Sequence, residues 1–182
     1  LRADRLDAAY PFPRPPLTSV YLGGGTPSLL APDAVGSILE LVARRFGIAA
    51  DAEVTIEVNP GPDERGDLAG FRAAGVTRCS IGAQSLDPRD LRLLGRRHAP
   101  ADVAETVRLA RAAAIPSVSI DLLLGVPGQD LDRWAATLDG ALALGPDHCS
   151  TYQLALDDPD AEGLTGPAGD HLPLRPGARR WR

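Results

Sequence analysis

Val20-Tyr21-Leu22-Gly23-Gly24-Gly25-Thr26-Pro27-Ser28 is the stretch on which the reading of this chain turns. Val20 to Leu22 is a short apolar run of the kind that forms a buried strand. Three glycines follow without a spacer, and Thr26-Pro27 leads toward a helical pattern that opens near Asp33. Glycine permits positive φ and lets backbone come close to a ligand. A strand that ends in bare backbone presents N–H and C=O groups at its carboxyl end, where α/β folds bind ligands. A tight turn with no ligand fits the same residues, so the rest of the chain has to decide.

Upstream of this stretch, residues 1–9 carry Leu1, Leu6 and Ala9 in a helical manner. Pro11, Pro13, Pro15 and Pro16 then forbid a helix and give an extended connector to a first strand at Thr18–Leu22. Downstream, Val35, Ile38, Leu39, Val42 and Phe46 recur at helical spacing, with Gly47 as the stop. Glu53–Val58 reads as a second strand, ended by Asn59-Pro60-Gly61-Pro62. A helix is predicted from about Asp63 to Ala74 and a third strand over Arg78–Ala83. Asp87-Pro88 opens a short helix with Leu91 and Leu94 inward, and a longer one over Pro100–Ala114 turns Val103, Val107 and Ala110 to one face. Ser117–Leu124 is the fourth strand. Asp130 caps a helix whose inward residues are Leu131, Trp134, Leu138 and Leu142, and His148–Leu156 is the fifth strand. After Asp157 the sequence is rich in Gly, Pro and Asp, and no regular structure is expected.

This alternation predicts an α/β fold with parallel strands and right-handed crossovers. A TIM-like or partial barrel fits it, with an open doubly wound sheet as the alternative. The expected domains are a remnant helix and Pro-rich connector at 1–16, a core at 17–156 and an irregular tail at 157–182. A chain of 182 residues that is 44% hydrophobic can build one core. Its net charge of −5 argues against a nucleic-acid partner. No apolar run is long enough for a membrane span and no signal-peptide pattern opens the chain, so a cytoplasmic setting is expected. Cys79 and Cys149 make no disulfide framework and read as core thiols. Every basic residue is Arg, which excludes chemistry that needs a lysine amine, and there is no Met. Both ends break off mid-pattern, so the chain reads as a fragment of a longer protein.

Polar residues collect at the carboxyl ends of the predicted strands: Gly24, Gly25 and Thr26, then Glu57 and Asn59, then Gln84 and Ser85, then Asp121, then Tyr152 and Gln153. The loop after the third strand adds Gly95-Arg96-Arg97-His98. Asp121 sits inside an apolar strand, where a carboxylate is costly unless paired. Its expected partner is Arg96, or a ligand hydroxyl or ammonium. Glu57 suits a ribose diol or an ammonium, and it could equally cap the turn that follows it. Arg96 suits a carboxylate in fork geometry, whereas Gln84 could simply bond neighbouring backbone. His98 is expected to be an exposed loop residue. Backbone donors, two carboxylates, an amide and an Arg together suit a ligand carrying ammonium, carboxylate and ribose groups. An acid–base or metal-dependent barrel enzyme and a non-catalytic nucleotide-binding module remain alternatives.

Five motifs occur in order: Gly23-Gly24-Gly25-Thr26-Pro27-Ser28, Glu57-Val58-Asn59-Pro60, Ser80-Ile81-Gly82-Ala83-Gln84-Ser85, Leu94-Gly95-Arg96-Arg97-His98 and Ile120-Asp121-Leu122. Over residues 17 to 156 the chain resembles the radical S-adenosylmethionine (SAM) enzymes of the oxygen-independent coproporphyrinogen III oxidase group, and its Leu-Gly-Arg-Arg-His resembles the haem-chaperone branch. The resemblance implies a partial TIM-like (β/α)6 barrel with the first βα unit missing. It implies that Gly24 and Glu57 contact SAM, and that Gly25, Thr26, Gln84, Arg96, Asp121 and Ala155 match positions that hold a second SAM in the oxidase. It further implies a 4Fe-4S cluster in the longer protein, haem or a porphyrinogen as a further ligand, and an electron donor as partner. The family's Cys-x3-Cys-x2-Cys motif does not occur in these residues and would fall before Leu1. The fragment alone is therefore expected to be unable to cleave SAM reductively.

Overall fold

The computed structural model describes residues 15–154. The expectations for the residues before Pro15 and for those from Ala155 onward, Ala155 itself included, lie outside that range. The elements are β1 (Leu17–Leu22), a 3-10 turn (Pro27–Leu29), α1 (Pro32–Phe46), β2 (Ile48–Val58), α2 (Leu68–Ala73), β3 (Arg78–Gln84), α3 (Pro88–Leu93), α4 (Pro100–Ala112), β4 (Ser117–Leu124), α5 (Leu131–Ala143) and β5 (His148–Gln153). All neighbouring strands pair in parallel, in the order β1-β2-β3-β4-β5. Parallel neighbours that are also consecutive in the chain give a curled half-barrel, as expected for a partial (β/α) barrel. The doubly wound alternative falls, because there the strand order would reverse about the first strand.

Side chains alternate across the sheet, and the two faces have opposite chemistry. Val54, Ile56 and Val58 of β2, Cys79, Ile81 and Ala83 of β3, and Val118, Ile120 and Leu122 of β4 are buried in one apolar layer. Phe71 from α2, Val35 from α1 and Val103 from α4 complete that layer with no exposure. Burial of a side chain such as Phe71 or Ile56 contributes about 1.5–3 kcal/mol. The register places the intervening residues side by side on the other face: Glu57 beside Ser80, Ser80 beside Ser119, and Asp121 beside Ser150. This inner face is polar across four strands. Cys79 belongs to the apolar layer, and burial pushes its thiol up to about 12.

Three expectations need correction. β2 starts at Ile48, not Glu53, because Gly47 turns at φ 72 and accepts from the Leu17 N–H at 3.0 Å, which draws the chain into pairing with β1 earlier. The helix expected from Asp63 begins only at Leu68. Gly66 sits at φ 67 and ends a single turn, and Asp67 then caps α2 by accepting from the Gly70 N–H at 2.9 Å. On α5, Leu131 and Leu142 are 80% and 53% exposed, while Thr137 and Ala141 are buried and Trp134 and Leu138 pack beside them. The inward stripe is thus rotated toward the small residues, which let the helix approach the sheet closely. No described helix is long and apolar enough to cross a membrane.

Candidate functional site

The three glycines after β1 have different reasons to be glycine. A Cβ on Gly23 would stand 2.7 Å from Tyr21 Cε1 and 2.9 Å from Glu57 Oε1, so this position is bare for packing. Gly24 and Gly25 have φ 87 and 61, the left-handed region that side chains avoid, and no atom lies within 4 Å of where their Cβ atoms would be. Their faces are open to a ligand.

Glu57 fixes this loop. Its Oε1 accepts from the Tyr21 hydroxyl at 2.9 Å and its Oε2 from the Gly24 N–H at 3.0 Å. Burial and the Glu57 carboxylate push the Tyr21 hydroxyl up to about 12, so it remains a donor across the whole working range. The alternative that Glu57 caps the turn following its own strand is therefore replaced by a cap on the neighbouring strand's loop. Further along, Asn59 Nδ2 donates to Thr26 Oγ1 at 3.4 Å, and the Ser28 hydroxyl donates to the Glu64 carbonyl. Gly66 packs against that junction. A Cβ there would overlap the Ser28 carbonyl oxygen and stand 2.9 Å from the Phe71 ring. Gly66→Ala is expected to destabilise the chain by about 2 kcal/mol, read by thermal unfolding, because it adds left-handed strain to overpacking. Unchanged stability would mean the Ser28–Gly66 junction is loose.

Asp121 sits on β4, and its Oδ2 accepts from the Ser80 hydroxyl at 2.7 Å. The expected partner Arg96 does not pair with it. Ser80 stands opposite Ser119 in the β3–β4 register, and its hydroxyl reaches the Asp121 carboxylate diagonally, two residues further along β4. Asp121 Oδ1 is buried and has no hydrogen-bond partner, and neither has the Ser119 hydroxyl two residues earlier on the same face. Gln84 has φ 65 and ends β3 in a bulge, and its Nε2 lies 3.0 Å from where a Gly82 Cβ would be. His98, expected on the surface, is 6% exposed, and its Nε2 meets the Ala83 carbonyl at 3.1 Å. The loop after α3 folds back over the end of β3 and buries it.

A cavity of about 390 Å³ opens on the inner face at the carboxyl ends of the strands. Gly25, Thr26, Glu57, Gln84, Arg96 and Asp121 all line it, and Gly24 is tied to its rim through Glu57. Sequence reasoning did not single out Tyr21, Ser80 or Gly82, which also line it. The signal was available, since Tyr21 stands two residues before the glycine run and Ser80 lies on the strand that ends at Gln84. Glu57 and Asp121 line the cavity from β2 and β4, two strands apart, and Arg96, drawn below its ordinary value by burial, supplies a cation.

Among the described residues no group of three or more His, Cys, Asp or Glu is placed to hold a metal ion. Cys79 faces the core and Cys149 is half-buried, its thiol also pushed up by burial. An iron–sulfur cluster does not fit these residues, since cluster thiolates must be deprotonated and converge on one point.

Residues 4–141 match the model of the radical SAM superfamily. The chain belongs to that family. Of curated proteins, the mitochondrial radical S-adenosyl methionine domain-containing protein 1 of Bos taurus is 48% identical over 139 residues, which is 76% of this chain and 31% of that protein. The heme chaperone HemW of Escherichia coli (strain K12) is 40% identical over 151 residues, 83% of this chain and 40% of that protein. Of solved structures, coproporphyrinogen III oxidase (HemN) from Escherichia coli, a radical SAM enzyme, superposes with a TM-score of 0.68 at 33% identity, over 76% of this chain and 32% of that one. The radical SAM chain described here thus spans under half the length of each of these relatives. Family membership displaces the acid–base barrel alternative.

Proposed function

We propose that this chain is the SAM-binding core of a HemW-like radical SAM protein concerned with haem. The observation that carries the reading is one cavity in which Glu57 holds the glycine loop, Arg96 offers a cationic fork and Asp121 Oδ1 is a buried acceptor without a partner. SAM carries the complementary groups, namely an ammonium, a carboxylate and a ribose diol. The Gly24 and Gly25 backbone and Glu57 suit the amino-acid end. Gln84, Arg96 and Asp121 line the far side of the cavity and suit a second copy of SAM or another ligand of like chemistry. We place the core at 17–156, Ala155 included as a contact by resemblance, with 1–16 and 157–182 as flanks. The family's cluster is assigned to no residue described here, and no step is routed through it.

Haem is the proposed cargo because the 40% identical bacterial relative is a heme chaperone. The likeness to coproporphyrinogen III oxidase supports porphyrinogen oxidation as the second reading. Porphyrin and electron donor alike concern the longer protein. Calorimetric titration of the chain with SAM tests the first step. Saturable binding that S-adenosylhomocysteine displaces is expected, and absence of any binding would overturn the reading. Haemin added to the longer protein then separates the two readings, since a chaperone retains it with a shifted absorption band and an oxidase does not.

A further inference from the structure

Three residues before His98 the chain turns at Gly95, φ 65, and the Arg96 N–H closes α3 on the Leu91 carbonyl at 2.8 Å. That turn directs Arg96 into the cavity and carries His98 beneath it, against the end of β3. At the end of β3 the pairing with β4 advances from Ile81–Ile120 to Gln84–Leu122, so β3 holds one residue more than β4. The extra residue forms a bulge, and bulges re-aim side chains. Gln84 pays for this with a left-handed backbone that a non-glycine residue adopts only when its surroundings enforce it. The Ala83 carbonyl leaves the ladder there. It accepts from the Ser85 N–H at 2.7 Å and faces His98 Nε2 at 3.1 Å. An acceptor on that side makes Nε2 the protonated nitrogen of a neutral ring.

The geometry points to His98 as a positioning residue that holds Gln84 and Arg96 in register with each other at the ligand cavity. The inference rests on the SAM reading only for its ligand, and it names how that site is kept in shape. His98 acts through the Ala83 carbonyl on the bulge, and through two residues of chain on Arg96. It has no place among the cavity-lining residues itself. The groups that face it are the Ala83 carbonyl of β3, Gly61 and Glu64 of the loop after β2, Asp102 in the first turn of α4, and Arg96 of its own loop. Burial favours the neutral ring, with Arg96 acting in the same direction. Gln84 reaches the cavity past Gly82, whose missing side chain leaves room for the amide. Loss of the bond at Ala83 lets the bulge relax toward ordinary extended backbone, which turns Gln84 away from Gly82.

The test uses the full chain with SAM as the probe. His98→Phe fills the space and removes the donor, whereas His98→Gln retains a side-chain N–H near the Nε2 position. His98→Phe is expected to weaken SAM binding about tenfold, and His98→Gln to restore most of it. In a Gln84→Gly background, where only Arg96 is left to aim, the effect of His98→Phe on affinity is expected to shrink to about threefold. Amide resonances of Gln84 in ¹⁵N-labelled chain should move in His98→Phe and return toward wild type in His98→Gln. Equal losses in both backgrounds, or unmoved Gln84 resonances, would overturn the proposal, since a residue that merely supports the fold lowers stability without coupling to Gln84. His98→Asn, whose amide stops short of Ala83, replaces His98→Phe should the latter not fold. If wild-type chain takes up no SAM, the functional reading fails, and the resonances alone decide the role of His98.

Discussion

Glu57→Ala is expected to weaken SAM binding about 100-fold while changing the melting temperature little. Two charge-assisted hydrogen bonds hold the Gly24 loop to this carboxylate and to the Tyr21 hydroxyl. Each such bond contributes about 1.5–3 kcal/mol when the partner is left with nothing in its place, and 2.7 kcal/mol is about 100-fold in affinity. Most of that loss falls on the ligand because Glu57 is only half-buried and lies on the polar inner face, away from the apolar layer. Water can replace it in the free chain. In the complex the loop has to present left-handed Gly24 and Gly25 in one conformation, and Glu57 is the side chain that bonds the loop's N–H. Glu57→Gln separates charge from geometry. Its amide oxygen can still accept from one of the two donors, so about a tenfold loss is expected. Tyr21→Phe removes one donor and leaves the Gly24 bond, and should fall between wild type and Glu57→Gln. Calorimetry on the four proteins checks the order. Wild-type affinity in Glu57→Ala would mean that SAM does not use the glycine loop.

Four of the strands, β1 to β4, were legible in the sequence because they carry apolar residues at every second position or in unbroken runs, whereas β5 (His-Cys-Ser-Thr-Tyr-Gln) has no such pattern. Val54, Ile56 and Val58 illustrate the pattern, all buried on one face. The start of β2 was not legible, since Ala49, Ala50 and Asp51 have no strand-like pattern and fall in the irregular step between the Leu17–Ile48 and Ser19–Glu53 pairs with β1. Leu131 and Leu142 misled because hydrophobicity marks which residues can be buried, and the sheet offers contact to one stripe of α5 only. Residue type alone drew Glu57, Gln84, Arg96 and Asp121 to one end of the sheet, and the cavity gathers all four. What the residue types could not give was pairing. Asp121 bonds Ser80, not Arg96, and this diagonal contact depends on a register that places Ser80 opposite Ser119, which residue types do not reveal. His98 was misplaced for a related reason. Nothing local in Gly95-Arg96-Arg97-His98 signals that the loop folds back onto β3.

Arg133→Met is expected to destabilise the chain by about 3 kcal/mol, because it strands a buried carboxylate. Asp90, on α3, has no exposure, and it accepts from the Ser85 hydroxyl at 2.9 Å, from Gln129 Nε2 at 3.0 Å and from Arg133 Nη2. The same guanidinium donates through Nε to Asp87 Oδ2 at 2.8 Å and through Nη1 to the Gly128 carbonyl at 2.6 Å. One side chain thus ties the loop after β3 to the loop after β4 and to the first turn of α5. Methionine keeps the aliphatic stem and removes every donor. Asp90→Asn with Arg133→Met should be more stable than Arg133→Met alone, since no buried charge is then left unpaired. Acid unfolding gives a second readout. The Arg133 hydrogen bond, foremost, holds the Asp87 carboxyl below its ordinary value. A group whose folded value is depressed stabilises the chain above its unfolded value, near 3.9, and loses that contribution as pH falls through the folded value. That part of the acid-stability curve should flatten in Arg133→Met, whereas a wild-type curve would mean the pair is screened by water. The consequence reaches the ligand cavity, because Ser85 follows Gln84 directly and its hydroxyl also accepts from the Asp87 N–H at 3.0 Å. His98 holds the bulge from one side and the Asp90–Arg133 network anchors it from the other, so the left-handed Gln84 is fixed at both of its neighbours.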